Sequence, residues 1–103
     1  MIENINLNKN DYEILECLIK YDRNTPYKSV TLQFIINDTK FSHVKVRQTL
    51  KYLKLCGFVK EGFKDSASKT YYATKEAFKN YMEVMDYNEK DIEDLINKNL
   101  GGK

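Results

Sequence analysis

The sequence predicts an α+β fold that is mostly helical, with a three-helix core, a β-hairpin and C-terminal helices. Apolar side chains recur at helical spacing through residues 10–55, and two runs rich in aromatic and β-branched residues follow. The chain has 103 residues, which fits a single domain over residues 1–103. Within it we expect a core at about residues 10–85 and a helical tail at residues 88–100.

The first helix is predicted from a polar cap and an apolar stripe. Asn10 is a favourable N-cap residue, and Glu13 stands at the third position after it, where its side chain can return to the cap. Apolar residues at helical spacing follow as far as about Tyr21. We therefore expect a helix from Asn10 to Tyr21.

A loop and a short helix come next. Residues 22–27 contain the single proline of the chain and predict a loop. Ser29-Val30 predicts a short strand, and Thr31 can then cap a brief helix that ends near Asn37-Asp38. We expect Leu32, Ile35 and Ile36 to face the core from this helix.

The third helix is bounded at both ends by the sequence. Ser42 is a favourable N-cap residue, and Gly57 stands where a helix commonly ends in a left-handed residue. Val46, Leu50 and Leu53 repeat at i, i+4 and i+7 and form one apolar stripe, while cations fall mostly on other faces. The sequence therefore predicts a helix with one buried side and one polar side.

A β-hairpin and two further helices follow. Residues 58–63 and 70–73 are prone to form strands, and residues 64–69 between them have turn chemistry. Tyr71 and Tyr72 point to opposite faces of the second strand, so we expect one in the core and one available to a phosphate. Thr74 then caps a fourth helix, and a break at residues 86–88 precedes a short final helix.

Charge is distributed unevenly along the chain. The net charge is +2, but residues 40–79 carry +7, whereas residues 1–39 carry −2 and residues 80–103 carry −3. A basic centre between acidic ends favours one surface for a polyanion such as nucleic acid. The alternative is an ordinary solvated lysine-rich surface, of the kind that an AT-rich genome produces.

The segment from Ser42 to Val59 carries the pattern Ser-x-x-x-Val-Arg-x-x-Leu-x-x-Leu-x-x-x-Gly-Phe-Val. Together with Thr31 to Ile36, this segment resembles the winged helix-turn-helix DNA-binding proteins, and the resemblance covers about residues 10–85. It implies that the third helix is a recognition helix that enters the major groove of double-stranded DNA. The predicted DNA contacts on this helix are Ser42, His43, Lys45, Arg47, Gln48 and Lys51.

The hairpin corresponds to the wing of that family. Lys64 and Lys69 flank its tip, where packing gives no reason for lysines, so we expect both to contact phosphates. Val44 departs from the family pattern, which usually has a small polar residue there, so we give the wing at least the same weight as the helix. The predicted wing contacts are Lys60, Lys64, Ser66, Ala67, Ser68, Lys69, Thr70 and Tyr72.

The last two helices carry more apolar residues than one small core needs. This excess predicts a homodimer interface, because a twofold suits a duplex site that is bound in two halves. The alternative is a tail helix that folds back on its own domain. The predicted interface residues are Phe78, Tyr81, Met82, Met85, Ile92, Leu95 and Ile96.

These features predict a sequence-specific, homodimeric protein that binds double-stranded DNA. The small size and AT-rich coding resemble accessory DNA-binding proteins of low-GC Gram-positive plasmids, such as TcpK-like factors. That resemblance implies a role in conjugative transfer at an origin of transfer, or in transcriptional regulation. One alternative is a plasmid-partition adaptor that binds a centromere, with other partition or DNA-processing proteins as partners. Another is a winged helix that docks an acidic protein.

Several other classes of function are disfavoured by the sequence. His43 is the single histidine, and Cys17 and Cys56 are not spaced as metal ligands, so we expect no metal and no cofactor. The acidic residues of the tail spread over different helix faces without a nucleophile, so we expect no enzyme. Without an apolar run of about 18 residues or a signal peptide, we expect no membrane partner and a cytoplasmic, reduced setting.

Overall fold

The computed structural model describes residues 7–20, 28–64 and 67–100. The predicted end of the first helix at Tyr21, the predicted loop at residues 22–27 and Ser66 of the hairpin tip lie outside the described residues. The elements of the described residues are α1 (Lys9–Lys20), β1 (Val30–Thr31), α2 (Leu32–Thr39), α3 (His43–Leu55), β2 (Val59–Glu61), β3 (Thr70–Ala73), α4 (Lys75–Met85) and α5 (Glu89–Leu100). The predicted order of three helices, a hairpin and two helices is confirmed.

The cap of α1 lies two residues earlier than predicted. The side-chain Oδ1 of Asn8 accepts from the backbone N–H of Asp11, and Oδ2 of Asp11 accepts from the backbone N–H of Asn8, both at 2.9 Å. This reciprocal pair satisfies two backbone donors at the start of the helix at once. The prediction of Asn10 and Glu13 as the cap was therefore wrong, because an equivalent pair at the same spacing precedes it.

The turn between α2 and α3 is fixed by caps on both sides. Thr31 Oγ1 accepts a backbone N–H of the first turn of α2 at 3.2 Å, and Ser42 Oγ does the same for α3 at 3.1 Å. Lys40 ends α2 in the left-handed conformation (φ 64°) and donates its backbone N–H to the carbonyl of Ile36 at 2.8 Å. The predicted caps Thr31 and Ser42 are confirmed, and α3 begins three residues after the left-handed residue.

Three strands form one antiparallel sheet in the order β1-β3-β2. β3 is the central strand. Val30 of β1 lies opposite Tyr71 of β3, and Val59 of β2 lies opposite Ala73 of β3. The short strand predicted at Ser29-Val30 is confirmed as β1, one residue later, and its pairing with the hairpin gives the sheet a third strand. The first hairpin strand is shorter than predicted and covers Val59–Glu61 alone.

The core lies between α1, α3 and the sheet. The apolar stripe of α1 is fully buried, and Val46, Leu50 and Leu53 of α3 are at most 2% exposed, as predicted. In α2, Ile35 is fully buried, whereas Leu32 and Ile36 are half-buried and pack against the core from its edge. One face of α3 is therefore fixed by burial, and its opposite face is left to solvent. The fully buried residues of α1 are Ile14, Leu15, Leu18 and Ile19.

The C-terminal helix packs on its own domain. Asp86 ends α4 in the left-handed conformation (φ 57°), and Asn88 and Asp91 cap α5 reciprocally at 2.8 and 2.9 Å. α5 packs against α1, which leaves Ile92 6% exposed. This face of α5 therefore follows the alternative of a tail that folds back on its own domain. α5 has 12 residues, so it is longer than the short final helix that was predicted.

Thr74 connects the start of α4 to the end of α3. Its hydroxyl accepts from the backbone N–H of Ala77 at 3.3 Å and donates to the carbonyl oxygen of Gly57 at 2.7 Å. Gly57 has φ 81°, a conformation that glycine adopts without strain, so it closes α3 as predicted. Thr74 is 5% exposed, so both of its bonds are sheltered from water. This hydroxyl fixes the base of the hairpin against the helices.

We expect Thr74→Ala to lower the free energy of unfolding by about 1–3 kcal/mol, because the substitution removes an N-cap and a second bond together. Urea titration followed by circular dichroism measures the change. Thr74→Ser keeps the hydroxyl and is the control, with an expected loss of less than about 1 kcal/mol for one methyl group. Equal stability of the two variants would contradict the bridging role of the hydroxyl.

Candidate nucleic-acid interface

A groove runs between α3 and the hairpin, which we call the wing (β2, β3 and the residues that join them). α3 supplies three cations to the groove, and the wing supplies one cation and one carboxylate. The residues that line this α3–wing groove are Arg47, Leu50, Lys51, Lys54, Leu55, Glu61, Lys69 and Tyr71. Two helical turns of α3 thus carry positive charge along one wall, and the wing forms the other wall.

Two shallow depressions extend the groove at its sides. The first lies on the outer face of α3 and shares Arg47 and Lys51 with the groove; its other residues are Val44 and Gln48. The second lies beside the start of α2 and shares Lys69 and Tyr71; its other residues are Thr31, Leu32, Gln33, His43 and Ser68. We call the groove and these two depressions together the basic face. It is a continuous surface built from α2, α3 and the wing.

The outer face of α3 presents polar side chains at helical spacing. Arg47, Gln48 and Lys51 are exposed, and they lie three, four and seven positions after Val44 on the side opposite the buried stripe. His43 is also exposed, in the first turn. Helix and side chains together are about 10–12 Å across, close to the ~12 Å width of the major groove of B-DNA. The predicted recognition helix is thus brought together with the wing on one surface.

Lys45 and Ser42 are placed differently from the other predicted contacts. The ammonium of Lys45 lies 4.9 Å from the centroid of the Phe41 ring, which is cation–π geometry, and Lys45 is half-buried. The hydroxyl of Ser42 serves as the cap of α3. Gln48 thus lines the basic face, whereas Lys45 packs at the turn.

Glu61 is the carboxylate of the α3–wing groove, and it bridges the two walls. Its Oε2 lies 2.5 Å from Nζ of Lys54 and 3.9 Å from Nζ of Lys69. The hydrogen bond from Lys54, assisted by the charges of nearby lysines, lowers the pKa of Glu61 below its ordinary value. In the sequence analysis Glu61 entered only as one of the negative charges within the net charge of residues 40–79. Glu61 lies opposite Tyr71 on the neighbouring strand, so the alternation of side chains along the two strands could have placed Glu61 in the groove.

The tyrosine of the basic face is Tyr71 and not Tyr72. Glu61 and Tyr71 form one cross-strand pair, and Lys60 and Tyr72 form the next. Successive strand residues face opposite sides, so Lys60 and Tyr72 lie on the side of the hairpin away from the groove. The structure therefore places these two predicted wing contacts away from the basic face. Burial raises the pKa of the Tyr71 hydroxyl above its ordinary value.

Thr70 is a support for the wing and not part of its surface. It is 3% exposed; its hydroxyl donates to the carbonyl oxygen of Phe63 and accepts from the hydroxyl of Ser29 at 2.9 Å. The structure therefore places this predicted DNA contact beneath the surface of the wing. The other described residues of the tip, Lys64, Ala67, Ser68 and Lys69, are exposed.

Lys75 and Lys79 are further central cations that lie away from the basic face. Lys75 and Lys79 line a separate groove between α4 and α5, so the basic charge of residues 40–79 does not gather entirely on one surface. The α4–α5 groove is lined by Lys75, Phe78, Lys79, Met82, Glu89, Ile92, Glu93 and Ile96. Tyr81 is 1% exposed and Ile92 is 6% exposed, so most of the surface of these two predicted interface residues is already buried within one chain. Phe78, Met82, Met85, Leu95 and Ile96 keep exposed surface.

The described residues also bear on the other classes of site. Among them, no three His, Cys, Asp or Glu side chains are grouped so that they could hold a metal ion. Cys17 and Cys56 are buried and are not joined in a disulfide. In the same part of the chain, no helix has both the length and the apolar character that a membrane crossing requires.

Comparison with known proteins identifies the family. No family model matches the chain. It is 35% identical over 79 residues to the DNA-binding protein TubR of Clostridium botulinum C phage, a match that covers 77% of this chain and 98% of that protein. The chain belongs to the TubR family of DNA-binding proteins. This membership supports the prediction of a DNA-binding protein and not an enzyme.

Solved TubR structures share the fold. The solution structure of the DNA-binding TubR fragment from Clostridium botulinum is 34% identical, with a TM-score of 0.65, and the match covers 78% of this chain and 99% of that one. TubR from Bacillus megaterium pBM400 is 20% identical, with a TM-score of 0.69 and coverage of 77% and 87%. The predicted winged helix-turn-helix fold is confirmed by these TubR structures. The narrower resemblance to TcpK-like factors gains no support from them.

The fold also extends to a more distant protein. A mutant of Lactococcus lactis ZitR is 20% identical to this chain, with a TM-score of 0.63. The match covers 99% of this chain and 65% of ZitR. At this identity the likeness concerns the winged-helix architecture alone.

The ion pair of Glu61 predicts a pH-dependent difference between the wild-type chain and Glu61→Gln. Because the folded-state pKa lies below the ordinary value of 4.5, the pair stabilises the fold above pH 4.5, and this contribution is lost as the pH falls through the lowered pKa. For an exposed pair the expected loss in Glu61→Gln at pH 7 is at most about 1 kcal/mol. Urea titrations between pH 7 and pH 2 measure it.

The matched control for this substitution is Glu83→Gln, which removes an exposed carboxylate on α4. We expect the stability of Glu61→Gln and of the wild-type chain to converge towards pH 2. A difference that persists unchanged at low pH would show that the ion pair is not its cause.

Proposed function

We propose that the chain binds specific sites in double-stranded DNA as a homodimer and serves as a plasmid-partition adaptor. The observation that carries this proposal is the α3–wing groove, in which Arg47, Lys51 and Lys54 of the helix face Lys69 of the wing. A duplex presents two phosphate backbones about one groove width apart, and cations on a helix and on an adjacent hairpin suit that spacing.

In the proposed complex α3 enters the major groove with its outer face towards the base edges. Gln48 is exposed at the second turn of α3, and a glutamine amide can pair with the two hydrogen-bonding groups of adenine. Arg47, on the same face, offers a guanidinium to guanine or to a phosphate. Lys64 and Lys69 of the wing then contact the backbone beside the helix.

Glu61 limits how tightly this surface binds arbitrary DNA. Its carboxylate pairs with Lys54 and Lys69, so a phosphate that approaches either lysine meets a negative charge already in place. Phosphate contacts supply most of the affinity for non-specific sequences. The carboxylate therefore shifts the balance of binding energy from the backbone towards base contacts by α3.

The dimer is proposed to form through the α4–α5 groove. Its α4 wall carries Lys75 and Lys79, and its α5 wall carries Glu89 and Glu93 at the same four-residue spacing. A twofold axis along the groove places the basic wall of each copy against the acidic wall of the other, as an isologous interface requires. The apolar floor between the walls is formed by Phe78, Met82, Ile92 and Ile96.

The role in partition is supported by the family and by the replicons of its members. The TubR relatives come from a phage of Clostridium botulinum and from Bacillus megaterium pBM400, a plasmid designation. A partition adaptor needs a DNA-binding surface and an assembly surface but no catalytic centre, and the basic face and the α4–α5 groove supply these two surfaces. The family therefore favours partition over conjugative transfer.

The wing lysines provide the test of this function. We expect Lys64→Ala with Lys69→Ala to weaken binding to a site selected from random DNA and to random DNA alike. It should also lower the slope of log affinity against log salt by about 2 per protomer, or about 0.9 for each phosphate that is no longer neutralised. Band-shift titrations at several salt concentrations measure both. Lys90→Ala with Lys98→Ala, exposed on α5, removes the same charge and should leave the slope unchanged.

The same variants separate partition from its rivals in cells. A plasmid that depends on the wing variant should be lost faster than with the α5 variant, while conjugative transfer per donor stays the same. Selected and random DNA that bind equally weakly, with all binding abolished by moderate salt, would instead favour a winged helix that docks a protein. Loss rates that do not differ between the two variants would overturn the partition role.

A substitution in the α4–α5 groove tests the dimer. Met82→Glu places a carboxylate on the apolar floor, and we expect sedimentation equilibrium to give the mass of a monomer. Val84→Glu is the control, because Val84 is 51% exposed on the side of α4 away from the groove, and it should leave the dimer intact. Identical masses for both variants and the wild-type chain would exclude this groove as the interface.

A further inference from the structure

Val44 is an apolar side chain in an unfavourable place for the fold. It is the second residue of α3 and is 62% exposed, although valine loses side-chain freedom in a helix. The buried stripe of α3 begins at Val46, on the other side of the helix, so Val44 contributes nothing to the core. Its exposure is therefore not explained by packing within the chain.

The neighbours of Val44 all belong to the DNA-facing side of α3. Val44 shares one shallow depression with Arg47, Gln48 and Lys51, which are three polar residues of the basic face. The N-terminal residues of a helix in the major groove are the ones that approach base edges. A side chain as short as valine reaches a base only if the helix backbone comes close to the DNA. The first turn of α3 is exposed and permits this approach.

We propose that Val44 contacts the 5-methyl group of a thymine in the major groove and makes the chain select thymine at that position. The thymine methyl is the apolar group that base pairs present in the major groove, and small apolar side chains are the ones that recognise it. Arg47 and Gln48 supply the hydrogen bonds to neighbouring bases, and Val44 supplies the apolar contact between them.

Among the described residues, the other apolar side chains that are at least 60% exposed are placed differently. Leu55 is 66% exposed at the C-terminal end of α3, about 16 Å of helix rise from Val44, and Phe63 is 60% exposed on the wing. Neither lies in the first turn of α3. Val44 is thus the exposed apolar group that the geometry directs to a base edge when α3 enters the groove.

This inference rests on the proposed DNA binding and deepens it, and the experiment distinguishes the two. A bound site is first selected from random DNA, and each thymine of that site is then replaced singly by deoxyuridine, which lacks only the methyl group. Equilibrium binding is measured for the wild-type chain, Val44→Ala and Val44→Thr at one salt concentration. Thermal unfolding of each variant confirms that the exposed substitution leaves the fold intact.

We expect the wild-type chain to lose about three- to fivefold in affinity when one particular thymine loses its methyl group, the factor expected for one buried methyl. Val44→Ala should lose a similar factor on the thymine site and show no preference between thymine and uracil there. Val44→Thr, which keeps one methyl, should show an intermediate preference.

Two results would overturn the inference while the DNA-binding function stands. One is a wild-type chain that binds every uracil-substituted site as tightly as the parent site. The other is a Val44→Ala variant that keeps the wild-type preference for the methyl group. If the selection returned no bound sequence at all, the proposed function would fail, and the thymine contact would fail with it.

Discussion

The apolar contact between α1 and α3 is the constraint on which the rest of the molecule depends. The stripe of α1 is fully buried, and Val46, Leu50 and Leu53 meet it from α3 with at most 2% exposure. Once one face of α3 is buried, the helical period determines which residues lie on the opposite face. The contact with α1 therefore determines that Arg47, Gln48 and Lys51 point outwards. The orientation of the recognition helix is thus a result of core packing.

The position of the wing relative to α3 is set by polar contacts. Thr74 joins the end of α3 to the start of α4, and Thr70 holds the hairpin through Phe63 and Ser29. Glu61 then spans the groove between the two walls. Sequence analysis assigned Thr70 to DNA, Thr74 only to a helix cap and Glu61 to no role, yet each of them positions the wing. In a small domain, the residues that position a binding surface lie beside those that form it.

Sequence analysis placed the helices and most caps correctly because their determinants are local. The stripe of α3, the caps Thr31, Ser42 and Thr74, and the left-handed Gly57 each depend on residues within a few positions of one another. What the sequence did not predict depends on tertiary pairing: the pairing of the short strand at Val30 with the hairpin, the side of the hairpin on which Tyr72 lies, and the burial of Ile92. Strand register fixes those faces, and a tip as long as six residues does not define the register from sequence. At the start of α1, two overlapping polar pairs with equal spacing made the choice of cap ambiguous.

The way α5 folds back also determines where the molecule can be cut. Ile92 is buried in the helix that packs on α1, and the cap residues Asn88 and Asp91 lie just before it. A fragment truncated after Met85 would uncover an apolar strip on the first helix of the domain. Such a fragment would retain both walls of the α3–wing groove but would tend to aggregate, because the final helix covers part of the hydrophobic interior.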